Sequence, residues 1–467
     1  MQIPILNGIY TDSDSEFRTS YPTNLVPVPK KQGISNGYLR PGDGIAEEGT
    51  GPGVGRGGVN WNDVCYRVMG EKLVSISDIG TVTELGDVPG SDVVTLDYSF
   101  DYLGVVANER FFLWAGPGSF QEVTDPDLGA VIDFIWVDGY FMLTDGEFLI
   151  VTELTDPTSI DPLKYGSSEV DPDPIKALIK VRNEPHALNR YTIEIFDNVG
   201  GTGFPFQRVD GAQVMRGTVG THTCCLFLEN IAFMGGGRGE SIAVWVASSG
   251  SSAKISTREI DTILAGYSEG TLSTAVLEPR VDKNHQHLYL HLPDQTLVYD
   301  ASAAQEVGEQ VWFRLVSSLT DAGRYRARDF VWCYSRWLCT DPTSTKYGNL
   351  TLKETNHWGD RVAWSFDTTI LYNDGAGALF HRVELVSLTG RNALGNETTI
   401  STQYTLDGET YSVPRFITIG KQGQRDKRLV WLQQGNMRHW RSQRFTGTSD
   451  ARISPARLEI QIEPLAV

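Results

Sequence analysis

Apolar and polar side chains alternate along residues 285–292. His285, His287, Tyr289 and His291 fall on one face, and Leu288, Leu290 and Leu292 on the other. This is the period-two pattern of a half-buried strand. Pro293, Asp294 and Gln295 make a turn, and residues 296–299 form a return strand rich in β-formers. Asp300 and Ser302 end that strand because their side chains compete for backbone partners. A strand–turn–strand unit followed by a tryptophan, here Trp312, has the form of an outer hairpin of a β-propeller blade. Similar patterning recurs from 64 to 152, with strands expected at 65–69, 73–76, 93–96, 103–107, 111–114, 134–137, 141–144 and 148–152. Asp138-Gly139 and Asp145-Gly146 supply the positive φ of tight hairpin turns.

Turn signals every ~8–12 residues indicate a sandwich or a propeller. No strict repeated motif is present, so the number of blades is not legible. A further strand is expected at 191–196. One helix interrupts the pattern: Ser256 stands as its N-cap, with Glu259 at the capping-box spacing. Ile260, Ile263, Leu264 and Tyr267 form its apolar stripe, and Gly266 and Gly270 lie at its end. Beyond Asn356 the strands lengthen (383–388, 398–406, 416–419, 428–433, 458–462), and Asp407-Gly408 marks another hairpin. Residues 1–60 lack periodicity and are broken by Pro22, Pro27, Pro29, Pro41 and Pro52. Within them, 49–58 (GTGPGVGRGG) reads as a flexible connection. The expectation is an all-β chain in three parts. Residues 1–60 form an extended N-terminal arm. Residues 61–355 form a propeller-like body of many short strands with one bridging helix. Residues 356–467 form a C-terminal β-rich docking domain of sandwich-like character.

Composition narrows the function classes. The chain has 467 residues, 48 Gly, 21 Pro and a formal net charge of −18, which argues against a general nucleic-acid coat but not against a conduit that DNA slides through. Five cysteines, an odd number without a CxxC pair, read as reduced thiols of a cytoplasmic product. The N-terminus lacks the features of a signal peptide, and no apolar run approaches the ~20 residues that span a bilayer. The sequons at Asn349 and Asn396 carry little weight in such a product. Charge is also uneven. Residues 121–173 carry 13 Asp/Glu against the single Lys164, and Asp125, Asp156, Asp161, Asp171 and Asp173 each precede a proline. This stretch reads as a loop-rich, solvated acidic surface, with an acidic lining or a divalent-cation site as the alternative. Residues 421–444 carry Lys421, Arg425, Lys427, Arg428, Arg438, Arg441 and Arg444 against Asp426, with Trp431, His439 and Trp440 interleaved. They read as charged strand faces or as a surface that docks on an acidic neighbour.

Catalytic and metal motifs are weak. Residues 266–270 match G-x-S-x-G, but the helix precedes the serine instead of following it. Gly53, Gly55 and Gly58 match a dinucleotide fingerprint in letters alone, with no βαβ context. His285 and His287 are close enough along a strand to share a zinc ion, with Asp282 as a further ligand. Histidines on a polar strand face more often meet solvent or an interface, so no metal and no cofactor are expected. Asp12, Asp14 and Glu16 resemble the start of a calcium loop but lack its glycine and distal glutamate. Asp171 and Asp173 have no partner at a defined distance that would make them glycosidase carboxylates.

Several ordered stretches resemble the packaged-DNA stabilisation protein, or tail hub, family of short-tailed phages. Residues 35–42, with Tyr38, Leu39 and Arg40, are similar to that family's SxGYLRxxPG, compressed before the glycine. Residues 56–73, with Tyr66 and Arg67, resemble RG…YRVxGxKL. Residues 290–302, with Leu292, Pro293, Tyr299 and Asp300, resemble HLPxxxLVYDAS. Residues 426–431 resemble DKRVLW, and 156–174 followed by 204–206 look like related tail proteins. The resemblance implies a non-enzymatic virion protein of the tail, made and assembled in the host cytoplasm. It implies a six-fold ring below the portal that extends the DNA channel, retains packaged DNA, and carries the tailspikes and the needle. DNA would pass through without sequence-specific binding. On this reading Arg438, Trp440, Arg441 and Arg444 dock the portal or another partner. Asp156, Asp161, Asp171 and Asp173 lie near the channel or a spike contact, and the motif residues, Tyr299 and Asp300 among them, are structural. The alternative is a glycan-active or glycan-binding β-propeller tail protein, in which Trp61, Trp114 and Trp136 would stack on sugars, although buried tryptophans are the expectation.

Overall fold

The computed structural model describes the chain apart from residues 1, 4, 7, 12–16, 31–32, 155, 321, 374–375, 393–397 and 466–467. The Asp12, Asp14 and Glu16 run and the Asn396 sequon therefore lie outside the described residues.

Seven small antiparallel sheets follow one another between residues 44 and 351 and form a seven-bladed propeller. Blade 1 runs through Gly55–Trp61, Val64–Met69, Lys72–Ile76 and Val82–Asp87. Blades 2, 3, 4 and 6 begin with Thr95–Tyr98, Asp133–Val137, Ile175–Val181 and Val276–Asp282, and blade 7 with Arg328–Cys333; in blade 5 the short Gly217–Thr218 precedes Cys224–Phe227, which takes the corresponding inner place. These first strands pack against one another in a closed ring, blade 7 returning to blade 1. The fourth strand of blade 7 comes from the other end of the chain: Gly44–Thr50 pairs antiparallel with Lys346–Thr351. Gly348 makes that closure possible, since a Cβ there would lie 2.1 Å from the Ala46 carbonyl oxygen. Residues 49–58, expected to be flexible, are largely strand, because 49–50 pair with the closing blade 7 and 55–58 with Val64–Met69 of blade 1.

Two-residue hairpins dominate between the first and second strands of the blades. The Asp138-Gly139 turn has φ values of 50° and 91°, as its sequence predicts. Seven hydrophobic clusters fill the seven gaps between blades. Phe111, Phe134 and Phe141 meet between blades 2 and 3, and Cys65, Met69, Val331 and Tyr347 between blades 1 and 7.

The predicted helix is Arg258–Ala265, with Ile260 and Leu264 buried. Its N-cap is Thr257 rather than Ser256. Glu259 makes no capping box with Ser256; it accepts from the Thr19 amide (2.9 Å) and the Tyr21 hydroxyl (3.3 Å), tying the N-terminal segment to the helix. Two short helices join it among the described residues, Glu269–Leu272 and Ala301–Val307. The second begins where Asp300 was expected merely to end a strand, because the same side-chain competition makes aspartate a good N-cap.

The C-terminal part is a two-sheet sandwich. One sheet orders Gln2–Ile3, Ser454–Pro464, Ala378–Leu388 and Leu429–Leu432; the other orders Ala363–Asp367, Trp440–Thr448, Thr399–Thr405 and Arg415–Thr418. Its single core includes Ile5, Leu25 and Leu39 from the N-terminus alongside Phe366, Phe380, Trp431 and Phe445. Asn24 clips the two parts together. Held at φ 55°, which asparagine tolerates better than most residues, it gives its backbone N–H to the Arg314 carbonyl (2.9 Å). Its side-chain amide donates to the carbonyls of Val316 (2.9 Å) and Ala363 (2.6 Å).

Candidate functional site

Two regions gather the polar residues that the sequence singles out: the histidine strand of blade 6 and the open end of the sandwich. In blade 6 the strand His285–His291 lies between Val276–Asp282 and Thr296–Asp300. Blade 7 covers its polar face, with Phe330 packed on Tyr289 and His291. The expectation that these histidines face solvent or an interface with a partner therefore fails for two of them, His287 being 1 % and His291 9 % exposed, while His285 is half-buried. Burial, and then the nearby Arg328 cation, lowers the His291 pKa to about 3. Asp282, the expected metal partner, turns away and pairs with Arg40 at 2.6 Å. Asp300 takes its place. The register sets it opposite His287, and its Oδ2 lies 2.5 Å from His285 Nδ1 and 3.4 Å from His287 Nε2. Its Oδ1 accepts the Ala303 amide (3.1 Å), capping Ala301–Val307. Burial alone would raise the Asp300 pKa, but the two imidazoles hold it low. Sequence reasoning missed this role, although the two-residue offset of the hairpin register was a usable signal.

Beside this cluster runs a buried ionic chain. Arg280 donates to Asp43 (2.5 Å) and to the Tyr289 hydroxyl (2.9 Å), and Arg40 lies 3.5 Å from Asp43. Arg40 thus ties the N-terminal hairpin to blade 6. Of the other motif residues, Leu39 sits in the sandwich core, Tyr38 is half-buried, and Tyr66 packs on Trp61 and Trp114. Arg67 is fully buried and donates to the Asp329 carbonyl across the blade 7–blade 1 gap (2.8 Å). Leu292 and Tyr299 fill the core between blades 5 and 6, and Pro293 forms the adjoining turn. These positions hold the architecture together.

The expected docking residues separate. Arg438 is exposed, and Trp440 is half-buried with its edge on the exposed Phe17. Arg444 donates through Nε and Nη2 to the two carboxylate oxygens of Asp367 (2.7 and 2.9 Å). Arg441 is not a surface residue at all. It is fully buried between the rings of Phe380 and Tyr404 and donates to the Gln434 carbonyl (2.6 Å) and the Gln443 amide oxygen (2.8 Å). Its alternation within Trp440–Thr448 turns it into the sandwich interior, so it cannot meet a partner directly. Near the Arg415–Thr418 edge, Val413, Phe416 and Leu432 are exposed, while Lys421, Arg425 and Arg428 supply exposed cations. Residues 356–467 carry 11 acidic against 13 basic side chains, whereas 1–355 carry 47 against 27.

The acidic candidates organise loops. Asp156 accepts from Thr158 and Asp161 from the Leu163 amide, at the outer edge of blade 3. Asp171 pairs with Arg238 (2.6 Å), and Asp173 accepts the Tyr191 amide (2.5 Å). Asp156 and Asp161 belong to the rim of blade 3, and Asp171 and Asp173 to the loop that leads into Ile175–Val181 of blade 4. Ser268 caps Glu269–Leu272, so its hydroxyl serves the Thr271 amide. Trp61 and Trp114 are buried in the core between blades 1 and 2, which removes them as sugar platforms; Trp136 is half-buried under Phe100 and Lys180.

A family model described as "Bacteriophage P22 Gp10, beta-propeller" matches residues 1–355, and one described as "Bacteriophage P22 Gp10, beta-sandwich" matches 363–463. The tail hub protein gp10 of Salmonella phage P22 is 28% identical over 458 residues, covering 94% of each chain. Among solved structures, the N-terminal domain of Nup159 aligns with a TM-score of 0.41 at 9% identity, over 69% of this chain and 98% of that one. The Pan2 WD40 domain of Neurospora crassa aligns with a TM-score of 0.41 at 8% identity, over 66% and 94%.

Proposed function

The chain belongs to the bacteriophage P22 Gp10 family, and from that premise we propose that it is a structural protein of a phage tail, a hub that seats below the portal ring. The observation that carries this reading is the alignment with the P22 tail hub protein over 94% of both chains, which spans propeller and sandwich together. As a hub it extends the DNA channel, retains the packaged genome, and carries tailspikes and needle. It works by assembly and not by catalysis, in the virion tail, after being made in the host cytoplasm.

Six copies close a ring through head-to-tail contacts. The charge division supports this arrangement: a sandwich with a slight excess of cations faces a neighbour whose propeller is strongly acidic. Arg438 and Trp440, with Arg444 at their side, belong to the docking surface of residues 356–467, joined by Phe17 and the apolar edge at Val413, Phe416 and Leu432. Asp156 and Asp161 on the blade 3 rim, with Asp171 and Asp173 in the loop to blade 4, keep this side acidic toward the channel or a spike. Negative surface along the channel repels DNA phosphates and lets the genome slide.

The test is the mass of the purified chain, alone and mixed with its cognate portal ring. A monomer that becomes a six-copy layer on the portal supports the hub. A chain that stays monomeric and ignores the portal sinks it.

A further inference from the structure

We propose that His285, His287 and Asp300 form a site for one divalent transition-metal cation of the zinc class. The ion would staple the second and third strands of blade 6 to the helix Ala301–Val307. This inference is independent of the hub reading, because it rests on the geometry of one blade.

The arrangement follows from strand register. His285 and His287 are two residues apart on one face of a strand, and Asp300 stands opposite His287 on the next. The ligand atoms of all three lie within 4.8 Å of one another. Asp300 divides its carboxylate: Oδ1 holds the helix cap, leaving Oδ2 turned toward both rings. The second observation is His287 itself. It is 1 % exposed; Nδ1 has no hydrogen-bond partner, and Nε2 has only the long 3.4 Å contact with Asp300 Oδ2. Its edge-on contacts are aromatic, with Phe313 at 5.4 Å and Tyr289 at 6.1 Å. A neutral imidazole buried this way leaves one nitrogen unpaired and the other weakly held, which native interiors rarely tolerate. A cation between Nε2 and Oδ2 replaces that long contact with two short bonds.

The donor set selects the ion. Two imidazole nitrogens and one carboxylate oxygen suit zinc, cobalt or nickel and not magnesium or calcium. Bonds of about 2.0–2.2 Å place tetrahedral ligand atoms roughly 3.3 Å from each other, close to the 3.4 Å between His287 Nε2 and Asp300 Oδ2. The 2.5 Å contact of His285 with Asp300 lengthens when the shared proton gives way to the ion. His285 is half-buried beside the turn at 283–284, so it has room to rotate and to admit water as a fourth ligand. The neighbouring charges balance, Arg40 and Arg280 against Asp43 and Asp282. Asp300 therefore supplies the net negative charge. Because the ion competes with protons for the imidazoles, binding strengthens as pH rises.

The experiment uses the full-length chain, stripped with EDTA and titrated with Co(II) and then Zn(II). The expected result is a single equivalent of Co(II) with the visible absorption of a four-coordinate centre, displaced by Zn(II), and a raised melting temperature. His285→Ala, at the half-buried ligand, keeps the fold and weakens binding at least roughly tenfold. His287→Gln abolishes the cobalt spectrum. Asp300→Asn leaves the helix cap in place and removes the anionic ligand, with the same loss. Failure of the wild type to retain metal after desalting overturns the proposal. So does retention that is equal in the wild type and in His285→Ala, which would mark adventitious binding elsewhere.

Discussion

The propeller and the sandwich solve the problem of cohesion in different ways. The propeller has seven separate cores, one in each gap between blades, and buried polar groups cross several of those gaps. Asp133 takes the Thr95 hydroxyl from blade 2 (2.7 Å) and the Leu178 amide from blade 4 (2.8 Å). Glu278 takes the Asp329 and Phe330 amides of blade 7 (2.9 and 3.0 Å). The sandwich has one core, assembled from both ends of the chain. A propeller gap thus draws on neighbouring segments, apart from the closing blade, while the sandwich depends on contacts hundreds of residues apart. Asn24 and the ionic chain of Arg40, Asp43, Arg280 and Asp282 are where the two schemes meet.

The largest expected effect that sharpens this contrast comes from removing residues 1–43. The sandwich loses Gln2–Ile3, Ile5, Leu25 and Leu39, while the propeller keeps its closing strand Gly44–Thr50. Hydrogen-exchange mass spectrometry should find residues 363–463 unprotected and the blades still protected. Loss of protection everywhere would mean that the two parts fold as a single unit.

Next in size is Phe445→Ala in the sandwich core, which should cost about 3–5 kcal/mol and lower the melting temperature. Phe134→Ala, in the gap between blades 2 and 3, costs a similar amount, but its increased exchange should stay near those blades. A smaller effect separates two arginines that look alike in sequence. Arg441→Ala should destabilise by about 1–3 kcal/mol, because it strands the Gln434 carbonyl and Gln443 in the interior. Arg438→Ala, on the surface, should stay within about 0.5 kcal/mol in thermal melts while weakening portal binding.

The smallest effect is in pH dependence. Burial pushes the Asp133 and Glu278 carboxyls up to about 7, Asp329 adding to the shift at Glu278. The folded state then holds protons that the unfolded chain releases near pH 4, so this contribution to stability falls as pH rises through 7. His291 and His357, lowered to about 3 by burial, act oppositely: the unfolded chain binds more protons, and their contribution grows up to the ordinary histidine range near pH 6.5. The two tendencies oppose each other below about pH 6.5, and the carboxyl groups prevail above it. Melting temperature should therefore decline between about pH 6.5 and 8, and Asp133→Asn should flatten the decline. An unchanged slope in that variant would assign it to other groups.

Local signals in the sequence determined much of this molecule. Alternation and Asp-Gly turns identify the hairpins of blades 1 to 3 because strand periodicity and positive φ are properties of a few adjacent residues. The stripe of Ile260 and Leu264 marks the helix for the same reason. The motifs at 35–42, 56–73, 290–302 and 426–431 point to the tail hub family, and the family matches agree. Tertiary structure alone decided the rest. Seven blades close because Gly44–Thr50 completes the last one, a pairing some 300 residues away that no periodicity encodes. Arg441 and Arg444 lie on one basic strand, yet the partner sheet buries the first and leaves the second half-buried against the buried carboxylate of Asp367. His287 reads as a polar surface position until blade 7 covers it, and Asp300 reads as a strand end until the register sets it against two imidazoles. Burial and pairing depend on which distant surface arrives. The chain's own pattern specifies the faces, but only the assembled fold specifies what meets them.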